Sequence, residues 1–212
     1  GDKFFRGNRT ELEVTNSMDK AQQEYLAQAK IDGVRRLGGE VRFISPELWW
    51  DYIILAKTPN SPEIFINPVA DLGVLSGNGA IGLELLEQLP SLESVWAPFG
   101  GGSLITGIAS AMKYLDSKAK FYAVEGDHAA PAKAAFNAKR ACFVPVRPSF
   151  IRSMGGPTVV PNLWSLTQTL LSGTAVLSEM AIVDAIRLLF YKAKTVAEGA
   201  GGASLAAALL TR

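Results

Sequence analysis

Residues 93–126 hold the pattern that most limits how this chain can fold. A nearly all-apolar run, "ESVWAPF", meets three consecutive glycines, Gly100, Gly101 and Gly102. "SLITGIASAMKYL" follows, with apolar residues at 104, 105, 108, 112 and 115, a helical spacing. A second buried run, "AKFYAVEG", closes the unit. Strand, glycine turn, helix and strand make one βαβ unit, which requires parallel strands and a right-handed crossover. Strands apolar on every position are those covered on both sides. The expectation is an α/β protein with an open, mostly parallel sheet and helices on both faces.

The remainder agrees with that class. "SMDKAQQEYLAQAKIDGVRRL" reads as a helix capped by Ser17 or Asp19, with Tyr25, Leu26, Ala29, Val34 and Leu37 as a partial apolar stripe. Strands are expected over Val41–Ile44 and in "EIFINP", and a helix from Pro46 to about Lys57, before Pro59 and Pro62. A turn at Gly77 and Gly79 should precede the helix "AIGLELLEQL". Ser178 and Glu179 open a later helix, with Ile182, Val183, Ile186, Leu189 and Phe190 on one face. Two parts are expected, a reduced N-terminal segment over 1–58 and an α/β domain over 59–212.

Composition narrows the function. Lys and Arg total 21 and Asp and Glu 20, so the net charge of +1 argues against a nucleic-acid partner. No apolar run approaches the roughly 18 residues of a membrane helix, and the first residues lack the apolar core of a signal peptide. Cys142 is the single cysteine, so no internal disulfide can form, and a reducing, cytoplasmic setting is expected.

Glycines between a strand and a helix expose N–H groups that have no intrahelical acceptor, and their positive end suits a phosphate. Gly100, Gly101 and Gly102 would let the main chain approach an anion, and Ser103 would add a hydroxyl. A tight turn with nothing bound explains the same residues. A dinucleotide turn fits poorly. Glu125 stands where the ribose acid belongs, but the third glycine of G-x-G-x-x-G falls on Ile105.

Several segments in order carry a resemblance. "WAPFGGGSLITGIASAMK", "KFYAVEGDHAAPAKAAF", "GGPTVVPNLWSL" and "VLSEMAIVDAIRLLFYKAKTVAEGAGGASLAAALL" follow one another as in pyridoxal-phosphate enzymes of fold type II. "AKIDGVRRLGGEVRF" and "NPVADLGVLSGNGAIGLELLEQL" match upstream, so the likeness covers about residues 28–210. The chain resembles the serine/threonine dehydratase and serine racemase branch. That implies a tryptophan synthase β-like fold with a truncated small domain, pyridoxal 5'-phosphate as cofactor and a small amino acid as substrate. It also implies a homo-oligomer, such as a dimer, and elimination from L-threonine or L-serine to a 2-oxo acid and ammonia. The family's phosphate loop matches Gly100, Gly101, Gly102, Ser103 and Leu104, and its glutamate near the cofactor ring matches Glu198. Its acid after the next strand matches Glu125, a cation ligand in racemases. Here Pro131 or a neighbour replaces the accompanying aspartate, so no metal is expected and Glu125 reads as a solvated carboxylate.

Other positions depart from the family. Its cofactor lysine lies in S-F-K-x-R-G, whereas "GDKFFRGN" puts Phe4 at that place and Lys3 one residue earlier. Lys3 is therefore a displaced catalytic lysine or a surface lysine. Too few residues separate Gly7 from the first matching segment for the family's substrate loop. "SGNGAIG" belongs to a later segment, so Asn78 reads as a turn residue. The alanine-aspartate-glycine motif appears as "IRSMGG", with Arg152 and Ser153 substituted. The resemblance also implies a further strand after Arg212. A partly known longer chain, an excised domain, and a degenerate paralogue that binds or assembles without turnover all fit. His128 reads as a solvated loop residue, Cys142 as a buried apolar one, and Trp49 and Trp50 as packing residues.

Overall fold

The computed structural model describes residues 20–56 and 64–211. Two compact units divide between Asn67 and Pro68. In the first, α1 (Lys20–Arg36) and α2 (Pro46–Leu55) are helical as expected. Ser45 is extended and accepts the Leu48 N–H at 3.2 Å, and Pro46 sets the first-turn φ. Ile31 and Ile53 are buried, and Asn67 Nδ2 donates to the Ile53 carbonyl at 2.8 Å. Trp49 and Trp50 are half-buried, whereas Leu37, placed in the apolar stripe of α1, is exposed. No strand forms at 41–44 or 64–67. A strand needs a ladder partner, and among the described residues the sheet consists of strands from the second unit alone.

The second unit contains α3 (Leu72–Gln88), β1 (Ser94–Pro98), α4 (Ser103–Tyr114), β2 (Lys120–Gly126) and α5 (Pro131–Ala138). After these come α6 (Pro161–Leu170), β3 (Gly173–Leu177), α7 (Glu179–Leu188) and α8 (Gly199–Leu210). All three strands are parallel in the order β1-β2-β3. Trp96 lies opposite Tyr122 in the ladder, and their rings stack at 4.1 Å. Side chains alternate between two cores. Ala97, Phe99, Phe121 and Ala123 face α4, α5 and α6, whereas Trp96, Val124 and Leu177 face α7 and α8. The sheet is covered on both sides, as its apolar strands require.

α3 continues through Gly77, Asn78 and Gly79, where the sequence suggested a turn. Asp71 caps it, accepting from the Gly73 and Val74 N–H groups at 2.7 and 3.3 Å. Gly79 and Gly82 let α3 lie against α4. A Cβ on Gly82 would come within 2.8 Å of the Ile108 carbonyl, and one on Gly107 would strike that of Leu75. α7 starts as expected, with Ser178 accepting from Ala181 N–H at 3.3 Å and Ile182 buried. Its apolar face then ends in a π-helical turn, Leu189–Ala193, that leaves Phe190 exposed.

Candidate functional site

β1 ends at Pro98, and residues 99–102 turn the chain into α4. Phe99 N–H donates to the Val124 carbonyl at 2.8 Å, which extends the sheet bonding to the edge of the glycines. Gly102 is the N-cap, with φ of 101°, a conformation that favours glycine. It brings no capping side chain. Among the described residues, the N–H groups of 101–105 meet no acceptor, and the helix ladder begins with Thr106 N–H to Gly102 O at 3.1 Å. Gly101, Ser103 and Leu104 are half-buried, so this positive helix end is reachable.

The missing side chains make room for the protein itself. A Cβ on Gly102 would meet the Phe99 ring at 2.7 Å, and one on Gly100 the Ser153 carbonyl at 3.2 Å. One on Gly101 would strike the Val69 side chain, whose own Cβ is 3.0 Å away. Ser103 donates its hydroxyl to the Pro68 carbonyl at 3.1 Å. The glycines are thus needed for packing whether or not an anion is present.

Ser153 ties the loop to the last helix. Its Oγ donates to Glu198 Oε1 at 2.6 Å, and its carbonyl borders Gly100. Glu198 is the N-cap of α8 but spends its side chain on Ser153 rather than on helix amides. Gly155, with φ of 81°, donates its N–H to the Phe99 carbonyl at 3.0 Å. The structure therefore gathers Gly100, Gly101, Gly102, Ser103, Leu104 and, through Ser153, Glu198. Lys3 lies outside the described residues.

Glu125 is fully buried at the end of β2, not solvated. Its oxygens accept the Ala132 and Lys133 N–H groups at 2.6 and 2.9 Å. These belong to the first turn of α5, whose own N-cap, Ala130, supplies no side-chain oxygen. Glu125 is thus a helix cap delivered from a strand. Burial pushes its carboxyl up to about 7, against the opposing pull of the two amides and the Lys133 charge. Among the described residues no group of three or more His, Cys, Asp or Glu side chains could hold a metal ion.

His128 is also buried, contrary to the expectation of a solvated loop residue. Its Nε2 lies 3.1 Å from the Met154 carbonyl, while Nδ1 has no partner among the described residues. Cys142 is half-buried. Sequence reasoning missed Ser153 and His128, whose roles depend on contacts between distant segments. For Glu125 the usable signal was the alanine at the N-cap of α5, a position that usually carries an oxygen.

A family model described as pyridoxal-phosphate dependent enzyme matches residues 7–212. The chain is similar to L-threonine ammonia-lyase of Thermotoga maritima, 31% identical over 188 residues, covering 87% of this chain and 46% of that protein. It is similar to serine racemase of Oryza sativa subsp. indica, 28% identical over 190 residues, covering 85% and 53%. The chain thus spans about half the length of these curated relatives. Among solved structures, maize serine racemase has the same fold, with a TM-score of 0.80 at 24% identity over 96% of this chain and 60% of that one. The processed form of threonine deaminase isoform 2 from Solanum lycopersicum gives 0.74 at 24% identity, over 92% and 55%.

Proposed function

The chain belongs to the pyridoxal-phosphate-dependent enzymes, and from that premise we propose that residues 100–104 hold the phosphate of pyridoxal 5'-phosphate for elimination from L-threonine or L-serine. One observation carries the reading: amides at residues 101–105 that meet no acceptor among the described residues, at the start of a twelve-residue helix beyond the C-terminal end of a parallel sheet. Ligands of open α/β sheets bind at that end.

The residues present fit the phosphate. Half-buried amides without acceptors suit a dianion, and the helix dipole adds favourable potential. Gly102 and Gly100 keep Cβ atoms from crowding the turn, and Ser103 offers a hydroxyl once it leaves the Pro68 carbonyl. Glu198, steadied by Ser153, stands beside the loop as an acceptor for polar groups of a bound ligand. When bound, the cofactor supplies a ring that takes up negative charge from the substrate's Cα. Lys3 is the proposed base that accepts the Cα proton. The substrate's hydroxyl takes up a proton and leaves as water, and a water returned on hydrolysis releases ammonia and leaves the 2-oxo acid. L-threonine ammonia-lyase among the relatives supports this choice of reaction.

The test compares two ligands and one reaction. Binding of pyridoxal 5'-phosphate and of pyridoxal is measured by fluorescence titration, with inorganic phosphate as competitor. The phosphorylated form should bind at least about tenfold more tightly, the span of one or two charge-assisted bonds. Equal affinities would remove the loop from the site. Formation of 2-oxo acid from L-threonine or L-serine tests the chemistry; binding without turnover leaves a ligand-binding or assembly module.

A further inference from the structure

We propose that His128 is a positioning residue for the cofactor loop, acting through the Met154–Gly155 turn; this rests on the loop being the phosphate site. The imidazole sits in a slot made by two glycines. A Cβ on Gly155 would come within 2.7 Å of Nε2, and one on Gly126 would strike Nδ1. The ring is almost fully buried, and its one polar contact among the described residues is Nε2 to the Met154 carbonyl at 3.1 Å. A carbonyl only accepts, so Nε2–H donates in this bond, while Nδ1 has no partner among the described residues.

Two hydrogen bonds in series then reach the loop. His128 holds the Met154 carbonyl, and the next N–H, that of Gly155, donates to the Phe99 carbonyl at 3.0 Å. Phe99 directly precedes Gly100, and the residue before Met154 is Ser153. Ser153 touches the loop with its carbonyl and Glu198 with its hydroxyl. The histidine is itself fixed from outside. Its carbonyl accepts Arg147 N–H at 2.9 Å, and the preceding Asp127 N–H donates to Leu177 at the end of β3 at 2.8 Å. A packing residue would not need a ring nitrogen aimed at a main-chain carbonyl. Leaving the second nitrogen buried and unpaired is costly, and the bond to Met154 gives that cost a purpose.

Variants separate the bond from the bulk. H128F keeps a ring and removes the donor. H128Q can place its amide near the Nε2 position, whereas the shorter H128N cannot reach Met154. The proposal expects H128F and H128N to weaken pyridoxal 5'-phosphate binding about tenfold, with H128Q close to wild type. The amide NMR signals of Gly100 and Gly155 in the ligand-free chain should shift in H128F and H128N and return in H128Q. If H128F does not fold, the H128N and H128Q pair carries the comparison. Equal affinities and equal Gly100 signals for that pair overturn the positioning role. Failure of the wild-type chain to bind overturns the loop assignment instead, and the NMR comparison still decides the role of His128.

Discussion

Ser153 and Glu198 meet at 2.6 Å, one from the turn beside the glycine loop and the other from the N-cap of α8. A hydroxyl donating to a carboxylate at that distance makes a charge-assisted bond. Both partners are exposed, so its value for stability is limited. Urea denaturation of S153A, E198Q and the double variant should give a coupling of about 1 kcal/mol. A coupling near zero would mean that the pair does not fix Glu198.

Glu125 predicts an unusual pH dependence. Its folded pKa is raised from 4.5 to about 7, so the folded state binds a proton that the unfolded state has already lost. The contribution is fully present below pH 4.5 and disappears as pH rises through about 7. Stability should fall by up to about 3 kcal/mol across that window, and E125Q should flatten the slope. E125A, which leaves the Ala132 and Lys133 amides without their acceptor, should lose about 2 kcal/mol. An equal slope in wild type and E125Q would show that other groups set the pH response.

Two helix glycines should answer the same substitution with opposite signs. Gly77 has open space at its Cβ position, so G77A should stabilise by up to about 1 kcal/mol through helix propensity. On Gly107 the added methyl meets the Leu75 carbonyl and Asn78 of the neighbouring helix. G107A should destabilise by about 2 kcal/mol. Thermal melts of the two variants decide, and stabilisation by both would mean that α3 and α4 are less closely packed than described.

Gly101 gives a compensation experiment. G101A alone forces its methyl into Val69 and should cost about 1–3 kcal/mol. V69A removes the obstructing methyls, so G101A should cost much less in that background. The same penalty in both backgrounds would locate the constraint elsewhere in the loop.

Much of the scaffold was readable locally. Apolar runs marked β1 and β2, helical spacing marked α4, and Ser178 marked the start of α7. Strand β3 escaped because "GTAVL" is short and opens on glycine, and α6 because it starts at Pro161, at the end of a stretch dotted with Pro145, Pro148 and Pro157. The runs at 41–44 and 64–67 have strand composition, but composition cannot supply a neighbour. Gly77 and Gly79 resembled a turn, and the reason for Gly79 lies on α4, whose Ala111 its Cβ would meet at 3.2 Å. Glu125 and His128 read as solvated residues, and both are buried. A polar side chain at a strand end is normally wet, but the first turn of α5 encloses and bonds Glu125, and Met154, far along the chain, bonds His128. The order of glycine loop and Glu198 was visible; the serine and histidine that brace them were not.

Val69 and Ser153 reach the loop glycines from separate parts of the sequence, and Phe99 packs on them from within the loop. The proposed binding surface is therefore completed only when those stretches have arrived, and a partly assembled chain has no equivalent of it. Ligand capture then selects the finished molecule and shifts the folding balance toward it in proportion to occupancy. Supplying the ligand during refolding should raise the yield of native chain, making the vitamin-derived small molecule a folding aid before it is a reagent.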